Sequence, residues 1–227
     1  MADLNSLQKT LKIRFKNKAL LEQALVHSSY INENPGIASG DNERLEFLGD
    51  AVLGLIIAEQ LYKRFPQFSE GEMTRVRSSL VSQAALSRIA KTIKLGDYLY
   101  LGKGEEGGEG RNKPANLSGA LEALIAAIFL DRGLVATRKF ILRLMAKKMG
   151  KALSRGVEAD YKTRLQEITQ AQRQLKPKYR VIEAVGPAHD RRFTVEVIVG
   201  DDVIGRGSGK SKKAAEAEAA RVAIDQL

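Results

Sequence analysis

Cysteine is absent from the 227 residues. That excludes a disulfide framework and any thiolate metal site. Two histidines are present, too few by themselves for a standard zinc centre. There is no run of about 18 apolar residues, so no membrane span is expected. The N-terminus has no apolar segment of the kind a secretory signal needs, so the expected location is cytoplasmic. Nothing in the sequence asks for a small-molecule organic cofactor.

What is present is ordinary globular material, 44% hydrophobic and 28% charged, with a net charge of +10. The apolar content suffices for a core. The positive excess favours a polyanionic partner through counterion release from phosphates, with plain solubility as the other reading. The excess is uneven. Residues 1–157 carry 24 Lys and Arg against 16 Asp and Glu, while residues 158–227 carry 13 against 11. The segment 132–157 has eight basic residues and no acid. It reads as a basic amphipathic helix or as a solvated helix face.

Periodicity divides the chain. An all-α domain is expected over 1–150 and a flexible linker over 151–158. A small α+β module, ordered α-β-β-β-α, is expected over 159–227. In the first domain the pattern predicts helices at 4–11, 17–26, 42–63 and 118–130. Another, capped by Ser69, is predicted to run to about Thr92, with Glu70 and Glu72 favourable in its first turn. Gly102–Gly110 reads as a solvated loop.

Two carboxylate placements are anomalous. In Asn42-Glu-Arg-Leu-Glu-Phe-Leu-Gly-Asp-Ala-Val-Leu53, Glu46 and Asp50 share a helix face at i, i+4, with Glu43 one turn earlier. Their neighbours are apolar, so a cation should meet this face. Glu122 is the one charged side chain in Ser118–Leu130. It is either paired to an arginine of another helix or a metal ligand. Several carboxylates with few histidines suit Mg²⁺ or Mn²⁺. Such an ion on a basic chain points to phosphodiester hydrolysis.

In the C-terminal module, Gly205-Arg-Gly-Ser-Gly-Lys-Ser-Lys-Lys-Ala-Ala-Glu216 places Ser211 as a helix cap, with Lys212 and Lys213 in the first turn. Cations are disfavoured there unless a phosphate binds. The glycines permit close approach of the backbone. No aromatics interleave for base stacking, which favours recognition of a duplex by shape.

These residues carry a resemblance across essentially the whole chain. The stretch Asn42–Leu53 resembles the characteristic motif of bacterial ribonuclease III, and Tyr161–Leu227 resembles a double-stranded-RNA-binding domain. The resemblance implies a helical endonuclease that acts as a homodimer on double-stranded RNA. It would process rRNA and mRNA precursors and leave 5′-phosphate, 3′-hydroxyl and two-nucleotide 3′ overhangs. It implies Mg²⁺, with Mn²⁺ as a substitute. Glu46 and Glu122 match metal ligands, and Asp50 matches a catalytic carboxylate that also serves the metal. Phe47 matches an aromatic that plugs the partner subunit, against ordinary core packing as the other reading. Glu43 and Glu70 match acidic positions near the RNA cleft and dimer region. Gln166 and Glu167 match a helix on the minor groove, and His189 a loop reaching a neighbouring groove. Lys210, Lys212 and Lys213 match phosphate contacts. His27 reads as structural. One position departs from the pattern: Gly119 stands where the family usually has an Asp, and neither Asn116 nor Ser118 is an obvious replacement. The alternative is therefore a catalytically impaired duplex-RNA binder.

Overall fold

The computed structural model describes residues 3–36, 40–187 and 190–227, apart from the side chains at 147–148 and 151–160. The backbone of the expected flexible linker, 151–158, is helical. Two compact units emerge, Met1–Gly150 and Lys151–Leu227.

Among its described residues the first unit is helical. It holds α1 (Leu4–Leu11), α2 (Lys18–Gln23), α3 (Ser28–Glu33), α4 (Glu43–Arg64), α5 (Glu70–Val81), α6 (Gln83–Thr92) and α7 (Lys103–Gly107). The first part of α8 (Pro114–Arg173) completes it. Side-chain caps start several of these helices by satisfying N–H groups that have no partner within the helix. Asp3 accepts from the N–H groups of Asn5 and Ser6, and Asn17 accepts from that of Ala19. Ser69 and Glu72 form a reciprocal capping box at α5.

The core lies where α4 meets α8. Leu53, Ile56, Ile57 and Leu61 of α4 are fully buried, and so are Ala123, Leu124, Ala126, Ala127 and Ile128 of α8. A helix apolar on every side belongs inside a domain, which is where this stretch of α8 sits. Its run ends at Gly133, whose φ of +76° breaks the helix.

The single helix expected from Ser69 to Thr92 is instead two. Ser82 is extended, with φ −61° and ψ 147°, and separates α5 from α6. Ser79 Oγ donates to the Val76 carbonyl at 2.8 Å and Ser82 Oγ donates to that of Ser79 at 3.2 Å. Such back-bonding competes with the helical ladder. The break lets Leu86 and Ile89 of α6 face the core independently of α5.

The stretch Gly102–Gly110 is largely exposed, as expected, but it contains α7. Glu33 accepts from the N–H of Lys103 at 2.8 Å, and Ser29 Oγ accepts from that of Gly102 at 3.0 Å. Sequence pattern missed this helix because its support comes from residues about seventy positions away. Two of the basic residues in 132–157 serve the fold: Arg138 pairs with Glu59, and Arg143 donates to the Leu11 carbonyl.

In the second unit, the end of α8 is followed by β1 (Lys178–Val185), β2 (Arg192–Val199), β3 (Asp202–Gly209) and α9 (Lys212–Gln226). The strands form one antiparallel sheet in the order β1-β2-β3. Val195 and Val197 of β2 bury against Leu165 and the alanines 215, 219, 220 and 223 of α9. The β3 glycines explain why this helix is so rich in alanine. Gly205, Gly207 and Gly209 alternate onto the face under α9, where an added Cβ would come within 2.7 Å of α9 backbone atoms, most closely at Gly207. The close approach expected of these glycines is therefore made by α9. On the sheet's other face Arg180, Glu196 and Arg206 pair across all three strands, at 2.8 and 2.7 Å.

Candidate active site

Glu46 and Asp50 project from α4, and Glu122 from α8. Glu46 and Glu122 are half-buried, while Asp50 is exposed. The two helices cross at a tight point. A Cβ on Gly49 would lie 3.0 Å from Glu122 Cα and nearer still to its carbonyl group. Glycine at 49 thus lets α4 and α8 approach closely where both carry carboxylates.

Glu46, Asp50 and Glu122 have no salt bridge or side-chain hydrogen bond among the described residues, so the expected cationic partner is not found among them, and neither is an arginine for Glu122. The electrostatics follow. Burial, then the charges of Asp50 and Glu46, push the Glu122 carboxyl up to about 7. Burial and the Glu43 charge raise that of Glu46 as well, Asp50 adds to this, and His27 opposes it. His27 itself caps α3, its Nδ1 accepting from the Ser29 N–H at 3.2 Å. That is the structural role its sequence context indicates.

Gly119 has the ordinary backbone of a helix interior, where glycine costs up to about 1 kcal/mol against alanine. It is buried beside Glu46: a Cβ there would lie 2.8 Å from Glu46 Cδ and nearer still to Oε2. Neither neighbouring polar residue supplies the missing carboxylate. Asn116 Nδ2 donates to Glu105 Oε1 at 2.8 Å and to the Gly110 carbonyl at 3.0 Å. Ser118 Oγ donates to the carbonyls of Pro114 and Ala115.

The three carboxylates repel one another across this site, yet among the described residues no three acidic or histidine side chains converge as a ready cage for an ion. The donor chemistry still fits a hard divalent cation. All three donors are carboxylate oxygens, none forms an ion pair among the described residues, and burial together with the charges of Asp50 and Glu46 raises Glu122, which a bound cation would offset.

The remaining candidates divide. Phe47 is 82% exposed on α4, in line with Leu55 and Tyr62 on the same exposed face, so it is not core packing. It borders an open groove of about 680 Å³ lined also by Leu20, Leu48 and Leu130. In the second unit Gln166 and Glu167 are exposed on α8, and Lys212 and Lys213 are exposed in the first turn of α9. Ser211 caps that turn, accepting from the Ala214 N–H at 3.1 Å. Lys210 pairs loosely with Asp190 at 3.3 Å. His189 lies outside the described residues. Glu43 is exposed, and Glu70 accepts from Thr74 Oγ1 at 2.9 Å. Among the described residues no helix is long and apolar enough to cross a membrane.

Residues 17–149 match the Ribonuclease-III-like family and residues 161–227 match the double-stranded RNA binding motif. The chain belongs to the ribonuclease III family. A protein named Ribonuclease 3 from Dehalococcoides mccartyi is 54% identical over all of this chain and 96% of its own length. Another of that name from Borreliella burgdorferi is 46% identical, covering 100% and 92%. The nuclease domain of ribonuclease III from Campylobacter jejuni is 40% identical. It matches 65% of this chain and 97% of its own with a TM-score of 0.60. A second structure of that C. jejuni domain is described as flexible in a region involved in dimer formation. This chain is thus a ribonuclease III-type endonuclease with a double-stranded-RNA-binding domain, in a family generally dependent on divalent metal.

Proposed function

We propose that the protein is an Mg²⁺-dependent endoribonuclease that cuts both strands of duplex RNA. Its products carry 5′-phosphate, 3′-hydroxyl and two-nucleotide 3′ overhangs, and its substrates are rRNA and mRNA precursors. The observation that carries this reading is the carboxylate set Glu46, Asp50 and Glu122 at the α4–α8 crossing, which has no salt bridge among the described residues.

These products require water to add to phosphorus and the P–O3′ bond to break, with a proton going to the departing O3′. Glu46, Asp50 and Glu122 would hold the divalent ion, Mn²⁺ substituting for Mg²⁺. When bound, that ion supplies charge stabilisation at the phosphoryl oxygens and eases deprotonation of water. Asp50, exposed where the other two are half-buried, faces the side from which substrate arrives and orients the attacking water. Glu122 must be ionised to act as a donor, so its elevated pKa ties metal uptake to pH near neutrality.

In the second unit Gln166 and Glu167 meet a minor groove, His189 reaches a neighbouring one, and Lys210, Lys212 and Lys213 contact phosphates across the major groove between. Phosphate contacts of this kind position the protein on the duplex without reading its sequence. The Phe47 face joins two copies into a homodimer, so that each copy cuts one strand. A second reading, a duplex binder without turnover, is favoured by the missing carboxylate at Gly119, which neither Asn116 nor Ser118 replaces. Scission of a long RNA duplex in Mg²⁺, lost in chelator, separates the two.

A further inference from the structure

Helix α9 carries three acids, Glu216, Glu218 and Asp225, and each is paired. Arg221 takes Glu218 at 2.7 Å and Asp225 at 2.8 Å within the helix. Glu216 reaches instead across to α8, where Lys162 Nζ donates to its Oε2 at 2.6 Å. Glu216 is the acid that bears on the exposed lysines at the start of α9. It stands four residues after Lys212 and three after Lys213, the two spacings at which side chains on a helix meet. Yet neither lysine has a salt bridge among the described residues. Lys162 is itself held in place. Its Nζ sits 4.4 Å from the centre of the Tyr179 ring on β1, a cation–π contact. It also lies one turn before Gln166 on α8. A single ammonium thus ties α8, β1 and α9 together.

We propose that Lys162 is a positioning residue for RNA binding: it holds the Glu216 carboxylate away from Lys212 and Lys213 and so keeps both ammonium groups available to phosphate. This rests on the reading of those two lysines as phosphate contacts. Without Lys162, Glu216 would stand free on their face of α9. It would then compete with phosphate for the lysines and repel the phosphates that approach them. With Lys162 in place the competition is one-sided. A lysine that precedes a glutamate on a helix is the weaker order for pairing, whereas Lys162 is fixed over the Tyr179 ring with its charge directly against Glu216. Lys162 acts here through the charge of Glu216 and needs no contact with RNA. The other acids of α9 need no such partner from α8. Glu218 and Asp225 lie five or more residues beyond Lys213, outside the spacings at which they would face it, and Arg221 occupies them.

Binding of the full-length protein to an RNA duplex of about 20 base pairs, measured in chelator at several salt concentrations, tests this, with melting temperatures alongside to confirm folding. Lys162→Met keeps an unbranched apolar side chain over Tyr179 and removes the charge. It should weaken binding about three- to tenfold and make the slope of log affinity against log salt shallower by up to about one unit. Adding Glu216→Gln to it should bring affinity back to within about twofold of wild type, because no acid is then left to hold. Arg221→Met removes the same charge but frees acids that do not face the lysines, so it should cost less than about twofold. Wild-type affinity in Lys162→Met overturns the proposal. So does a double variant as weak as the single one, the result expected if Lys162 touched phosphate itself or merely braced the fold. An equal loss in Arg221→Met also overturns it, by assigning the effect to net charge. Wild-type affinity in the Lys212→Ala, Lys213→Ala variant overturns the phosphate reading and the proposal together. If Lys162→Met fails to fold, Glu216→Gln alone decides. A carboxylate already held away should leave affinity within about twofold of wild type on its removal, and a gain of about fivefold or more overturns the proposal.

Discussion

Gly49 lies directly against the backbone of Glu122, with no room for even one carbon between the two helices. This contact lets α4 and α8 approach closely where both carry carboxylates. Gly49→Ala should therefore cost the nuclease unit about 3 kcal/mol, at the upper end of overpacking effects because both sides of the contact are backbone. Urea unfolding followed by circular dichroism measures it. A midpoint equal to wild type would mean that the helices can separate freely there.

Glu122 makes the metal-free protein sensitive to pH. Its carboxyl sits at about 7 in the native state against an ordinary 4.5. Between those values the native state holds more protons than the unfolded chain, so stability falls as pH rises through that interval. Glu46 is raised as well and adds in the same direction. In chelator, the melting temperature should be lower at pH 8 than at pH 5.5, and Glu122→Gln should narrow the gap. A gap unchanged by the substitution would assign the effect to other groups.

Phe47 is too exposed to hold its own fold together. Phe47→Ala should leave the monomer's stability within about 0.5 kcal/mol, as surface changes usually do. It should also shift sedimentation toward the monomer at low micromolar protein. An unchanged dimer would place the interface elsewhere on the surface.

Lys212 and Lys213 stand exposed in a turn where the helix dipole disfavours them. Replacing both with alanine should weaken duplex-RNA binding across all sequences. The slope of log affinity against log salt should also become shallower by about one unit per lysine. Binding measured at several salt concentrations decides it, and a slope equal to wild type removes both from the phosphate contacts.

Much of this was legible in the sequence because it depends on local pattern. Glu46, Asp50 and Glu122 stood out as charges in apolar helices, and the three strands, the Ser211 cap and the Ser69 cap follow from alternation and turn chemistry. What stayed hidden depends on contacts distant in sequence. Nothing local distinguishes Gly49 from any other helical glycine, since its reason is the backbone of a residue 73 positions later. Gly119 was visible as an oddity, but the Glu46 carboxylate beside it was not. The split at Ser82 and the helix α7 were missed for the same reason, the first settled by core packing and the second by the distant Glu33 and Ser29. The glycines of β3 imply a close backbone approach from sequence alone, but the element that makes it, α9, is evident only once strand and helix are stacked.

The most direct test of the account is a denaturing gel of a long RNA duplex incubated with the wild-type chain and with Glu122→Gln, each in Mg²⁺ and in chelator, with duplex binding measured in parallel. The account predicts discrete cleavage products from the wild type in Mg²⁺ alone, none from Glu122→Gln, and nearly equal binding by the two. Intact duplex in the wild-type Mg²⁺ lane, with binding preserved, would contradict it and leave a duplex-binding protein whose site does not turn over.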